Sequence, residues 1–136
     1  MLPFLKSSIL PDAKTAIIFT AILTVAICVG TLTPSTDKVD IPGSDKWHHF
    51  IAFAALAYPL AAAGRLYWIP ALIYGLCLGA LIEITQPYVN RFDDVKDFQA
   101  DILGVLFGIF LGILGYQVKS KSVDTMTVDR VKEKKK

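Results

Sequence analysis

Long apolar runs alternate with short polar segments along this chain of 136 residues. The runs are Thr15–Thr33, Trp47–Ala63, Tyr67–Thr85 and Ile102–Val118, with nearly all strong charges between or outside them. Each holds roughly 17 to 19 residues, close to the ~20 that carry a helix across a bilayer. Backbone amides in lipid must be satisfied internally, which restricts crossings to helices or closed barrels. Continuous apolar runs fit helices, whereas barrel strands alternate in short segments. The pattern predicts an all-α polytopic integral membrane protein, a four-transmembrane-helix bundle with short loops.

Turn chemistry falls at the same boundaries. Pro34 to Ser44 is rich in Pro, Asp, Ser and Thr, Gly64-Arg65 makes a very short connection, and Pro87 follows the third run. The second run is the weakest crossing, because Pro59 lies inside it and His48-His49 and Gly64-Arg65 leave a short span. Lys6 and Lys14 precede the first run as they would in a signal peptide, but the run exceeds a signal core and lacks a small-x-small cleavage pattern. Bulky Ile27 before Cys28 is wrong for a lipoprotein box, so this run is read as helix 1. Residues 1–118 then form a single transmembrane domain with a short N-terminal cytoplasmic segment, and 119–136 a basic, flexible cytoplasmic tail.

Composition agrees with a membrane class: 54% of residues are hydrophobic and only 19% charged, below the roughly 25% charged of a soluble domain. The net charge of +2 comes from the end of the chain, where Lys119, Lys121, Arg130, Lys132, Lys134, Lys135 and Lys136 outweigh Asp124, Asp129 and Glu133. No aromatic residues interleave with that charge, which argues against nucleic-acid binding and for a solvated end beside anionic lipid. Cys28 and Cys77 sit in apolar runs and supply no disulfide framework.

Basic residues near the helix ends suggest an orientation. In a four-span arrangement Lys6, Lys14, Arg65, Lys119 and Lys121 share one side, and Lys38, Lys46, Arg91 and Lys96 the other. Together with the basic tail this places both termini in the cytoplasm of a bacterial inner membrane, with loops 34–46 and 87–100 outside.

Gly104, Gly108 and Gly112 recur every fourth residue and form a smooth stripe on helix 4. Gly75 and Gly79 offer a matching stripe on helix 3. The first expectation is that these two helices pack together, and a homodimer interface is the alternative.

Three polar arrays gather toward the outer edge. Glu83 ends an otherwise apolar crossing and is followed three residues later by Gln86, so both side chains can face one cavity. An ion pair with Arg91 is the plain structural reading of Glu83. Beyond Pro87, the three-then-four spacing of Asp94, Asp97 and Asp101 aligns them on one helical face with Gly104 and Gly108. Helix-dipole stabilisation accounts for one or two of these carboxylates. Ahead of helix 2 lies Asp45-Lys46-Trp47-His48-His49, in which Trp47 suits the interfacial belt and Lys46 can snorkel. A histidine near Glu83 could exchange a proton near neutral pH; interfacial hydrogen bonding is the plainer account.

In this ordered combination the chain resembles the VanZ-like family of small bacterial membrane proteins. The resemblance rests on Asp45-Lys46 with His49 and Phe53, Glu83-x-x-Gln86 with Arg91, and Asp97 with Asp101, Gly104 and Gly108, over approximately Thr33 to Gly115. Asp101 departs from it, since that family commonly has asparagine there. The resemblance implies a helical inner-membrane protein connected with cell-envelope processes or glycopeptide-antibiotic tolerance, and brings no established reaction.

The leading functional expectation is an accessory envelope protein. Its outward polar site, formed by Lys46, His49, Glu83, Gln86, Arg91, Asp97 and Asp101, would bind a lipid headgroup, a wall precursor or a glycopeptide-like compound, with membrane lipids as the general partner. Second comes a membrane-embedded hydrolase or transferase acting on a lipid-linked substrate, with His49 or Glu83 as general base and Arg91 stabilising negative charge. It lacks a distinctive nucleophile, since no serine has a G-x-S-x-G context. A metal site would recruit His48, His49, Asp97 and Asp101, but adjacent histidines do not establish converging ligands, and no metal or other cofactor is expected. Transport ranks third, for want of an inverted repeat of broken helices with midplane polar groups, and no Walker sequence supplies an ATP site.

Overall fold

The computed structural model describes residues 11–33, 44–89 and 95–134. Four helices follow in order: α1 (Ala13–Leu32), α2 (Ser44–Ala63), α3 (Trp68–Thr85) and α4 (Val95–Glu133). Short 3₁₀ turns at Arg65–Tyr67 and Gln86–Val89 flank α3. Asp12 caps α1 by accepting the Thr15 backbone N–H at 3.4 Å. Hydrogen bonding from the Thr15 side chain, reinforced by backbone N–H groups, holds the Asp12 carboxyl below its ordinary range.

The exterior is apolar. On α1, Ile17, Ile18, Phe19, Ile22, Val25 and Val29 are all more than half exposed, a surface that water would not tolerate and that hydrocarbon accepts. Hydroxyls within the helices donate to carbonyls four residues back, as Thr24 does to Thr20 at 2.8 Å and Thr31 to Ile27 at 2.7 Å, so little polarity faces outward. Three segments are long and apolar enough to span a bilayer: Ala13–Leu32, Arg65–Val89 and Val95–Glu133. The chain is an all-α polytopic membrane protein. The expected four-transmembrane-helix bundle is met in part: among the described residues there are four helices, of which three are span candidates. The difference lies in α2, whose first two turns carry Asp45, Lys46, His48 and His49.

What α2 lacks in lipophilic length it makes up in central position. Phe53, Leu56, Ala57, Ala61 and Ala62 are all buried, and Phe53, Leu56 and Ala57 form one core with Ile27 of α1, Leu78 and Ile82 of α3 and Val105 of α4. The Thr20 hydroxyl reaches the Leu56 carbonyl at 3.5 Å, tying α1 to α2, and Pro59 is accommodated inside the helix.

The glycine stripe has a different partner from the one expected. A Cβ on Gly104 would collide with the Phe50 carbonyl, one on Gly108 with the Ala54 carbonyl, and one on Gly112 would lie 2.5 Å from the Ala61 Cβ. The stripe therefore lies against α2, in parallel, and α2 covers the surface a homodimer would use. Gly75 and Gly79 face α4 from the other side, at Val105 and Asp101, in antiparallel register. Small residues here substitute for the hydrophobic effect, which lipid does not supply between helices.

Helix α4 runs to Glu133 over 39 residues, about 58 Å at 1.5 Å per residue, nearly twice the ~30 Å hydrocarbon core. Residues read from sequence as a flexible tail are thus helical through Glu133. The N-terminal segment before Pro11 and the loop residues 34–43 lie outside the described residues.

Gly108→Leu should lower the thermal stability of the detergent-solubilised protein by about 3 kcal/mol or more, because the clash is with backbone and no rotamer relieves it. Gly30→Ala, with open space around the added methyl, should shift stability by less than about 1 kcal/mol. Equal melting curves for the two variants would refute the backbone contact.

Candidate functional site

The parallel approach of α2 and α4 brings their N-terminal turns to the same end of the bundle. His49, in the second turn of α2, is 5% exposed, while Asp97 and Asp101, one turn apart on α4, are 5% and 2% exposed. The His49 Nδ1 lies 2.9 Å from Asp101 Oδ1, and the opposite ring nitrogen, Nε2, lies 4.0 Å from Asp97 Oδ2. The imidazole sits between two carboxylates.

Two glycines permit this arrangement. Gly104 lets α2 approach at Phe50, the residue after His49. Gly79 of α3 leaves room for the Asp101 carboxylate, since a Cβ there would come within 3.1 Å of Asp101 Oδ2 and 3.3 Å of its Cβ. The N-termini of α2 and α4 both end here, and their dipoles favour negative charge within the first turns.

Proton counting limits what the cluster can be. A neutral imidazole has one N–H, which can serve only one of the two facing carboxylates. An additional proton, on the ring or on a carboxyl, would let the imidazole serve both.

The other predicted residues distribute unevenly. Lys46 is half-buried one turn before His49 on α2, and Glu83, also half-buried, follows Gly79 by four residues on the same face of α3. Gln86, in the 3₁₀ turn after α3, is 2% exposed, and its Oε1 is buried with no hydrogen-bond partner among the described residues. Arg91 and Asp94 lie outside the described residues. His48 is exposed and points away from its buried neighbour. Among the described residues no group of three or more His, Cys, Asp or Glu side chains is arranged to hold a metal ion.

Sequence reasoning set a histidine against Glu83; the structure pairs His49 with Asp101. The signal was present in two carboxylates four residues apart entering an apolar run. Linking them to His49 required the parallel packing of α2 and α4; the expected packing of α3 on α4 is also present, through Gly75 and Gly79, but gives no hint of it.

No family model matches the chain, and no solved structure matches it. The chain is similar to the protein named "Putative antiporter subunit mnhA2" of Staphylococcus haemolyticus (strain JCSC1435), with 30% identity over 82 residues. That match covers 60% of this chain and 10% of the relative, so the chain spans about a tenth of the relative's length. These findings overturn the resemblance to the VanZ-like family and, with it, the expectation of glycopeptide-antibiotic tolerance: the similar protein carries an antiporter-subunit name and no family model supports the motif reading.

Removing one member of a buried charged pair leaves the other uncompensated. Asp101→Ala should destabilise the protein by about 3 kcal/mol, whereas the double variant His49→Phe/Asp101→Leu should recover most of that loss. A double-mutant cycle by chemical denaturation in mixed micelles checks this, and additive losses would show that the two side chains do not interact.

Proposed function

We propose that this multi-pass membrane protein relays protons through the His49–Asp97–Asp101 cluster, as a component of an antiporter-type transport assembly. The observation that carries the reading is the buried imidazole held between two buried carboxylates. Ionisable groups inside membrane bundles commonly mark ion pathways and proton relays, and the antiporter-subunit name of the similar protein points the same way. The sequence ranking is thereby reordered. Transport ranked last because polar groups lay at one edge, and it rises because three of them converge in a buried cluster.

The accompanying topology has four crossings, with α2 as the short central one held inside the other three. Both chain termini lie on the cytoplasmic side and the cluster lies toward the outer face of a bacterial inner membrane. The basic residues Lys14, Arg65, Lys119 and Lys121 at the opposite end support this orientation.

A second reading retains a binding site for a lipid headgroup or wall precursor at this end. Its specific support is the buried, unpartnered Gln86 Oε1, an acceptor suited to a ligand's N–H or O–H. The hydrolase or transferase reading is weaker, because a general base needs an available ring nitrogen and both nitrogens of His49 face carboxylates.

Potentiometric titration of the purified protein in weakly buffered detergent should show roughly one reversibly bound proton per chain near neutral pH that the Asp101→Asn variant lacks. Identical titrations of wild type and variant would contradict the relay reading and favour the headgroup reading.

A further inference from the structure

At the end of the bundle away from His49, α3 begins and α4 leaves its apolar run. There the chain forms an open cleft of about 220 Å³ lined by Arg65, Trp68, Tyr116, Gln117, Ser120 and Lys121. Its floor is built from fixed aromatic rings. The Trp68 indole N–H donates to the Ala61 carbonyl at 3.0 Å, which pins the ring to the end of α2. Tyr116 meets the Trp68 ring edge-on at 6.4 Å. The Arg65 guanidinium stacks over Trp68 at 5.5 Å from the ring centroid, so cation–π attraction restrains it at the cleft.

The lining is cationic and rich in donors. Arg65 and Lys121 bring positive charge, and Ser120, Gln117 and Tyr116 bring hydroxyl and amide groups, with no carboxylate among them. This is the chemistry of phosphate recognition, in which a guanidinium binds bidentately and an ammonium acts as a point charge. The surroundings decide the source of the phosphate. Leu66, Ile69 and Val118 near the cleft are 86%, 70% and 70% exposed, an apolar rim against which acyl chains can lie. Trp and Tyr beside such a rim mark the level of the headgroups.

We propose that this cleft binds the phosphate headgroup of an anionic membrane lipid in the leaflet opposite the His49 end. The site is built from the 3₁₀ turn Arg65–Tyr67, the start of α3 and α4, with Trp68 pinned to α2, and is independent of the proton-relay reading. It fixes the depth at which α4 leaves the bilayer, so the charged half of that helix starts at the headgroup layer. The exposed positive charges farther along, at Arg130, Lys132 and Lys134, are interspersed with Asp124, Asp129 and Glu133 and lie outside the lining of this cleft.

Native mass spectrometry of the full chain in detergent, titrated with phosphatidylglycerol or phosphatidylcholine, tests the proposal. Wild type should bind phosphatidylglycerol about tenfold more tightly, the scale of one charge-assisted hydrogen bond. Arg65→Gln and the exposed Lys121→Gln should each erase most of that preference with helical content retained. Lys132→Gln/Lys134→Gln should leave it intact, and millimolar inorganic phosphate should not displace the lipid. Equal binding of the two lipids, an unchanged preference in Lys121→Gln, a loss in the Lys132/Lys134 variant as large as that in Lys121→Gln, or displacement by free phosphate would each overturn the proposal.

Discussion

Everything distinctive in this protein depends on two helices touching through their backbones. Gly104, Gly108 and Gly112 bring α4 so close to α2 that a methyl group at the first two positions would enter a carbonyl oxygen of α2. Apolar side chains gain little by leaving lipid for one another, so close van der Waals fit supplies the association. The contact runs parallel, which sets the N-terminal turns of both helices side by side. That juxtaposition, and not any local motif, places His49 against Asp101.

A buried imidazole between carboxylates is costly to assemble, and the fold reduces the cost in several ways. Both helix N-termini add favourable dipole ends, Gly79 makes room for the Asp101 carboxylate, and the ring's two nitrogens each face an acid. The cluster gathers acid groups around one imidazole at this end of the bundle. The other end of the bundle has the opposite character, with Arg65 and Lys121 around an aromatic floor. The molecule therefore presents acid chemistry at one membrane face and basic chemistry at the other.

The helices were legible in the sequence because lipid imposes length and continuity on apolar runs, and the four observed helices fall on the four runs. Their partners were legible only in part, since α3 does pack on α4 but the α4 glycine stripe lies against α2. Gly75 and Gly79 look like the natural complement of the α4 stripe, yet a stripe of small residues specifies closeness without naming a neighbour, and alanine-rich α2 fits it better. Asp97 and Asp101 were legible as candidates from their spacing; His49 was legible as a titratable group but not as their partner. The stacked cleft around Trp68 escaped notice because its residues come from a 3₁₀ turn, the start of α3 and the interior of α4, separated by some fifty positions in sequence. The motif resemblance misled for a related reason: ordered polar residues at a membrane edge recur wherever helices end in water.

The proposal that His49 handles protons together with Asp97 and Asp101 can be tested on the ring itself. The chain has only two histidines, so ¹⁵N-histidine labelling of a His48→Gln variant in nanodiscs leaves one pair of imidazole resonances to follow with pH. A shared proton predicts that the two His49 nitrogens respond together over a broadened, multi-step titration, and that Asp97→Asn and Asp101→Asn each alter its course. A single tautomer that titrates as an isolated imidazole, unchanged by either substitution, would contradict it.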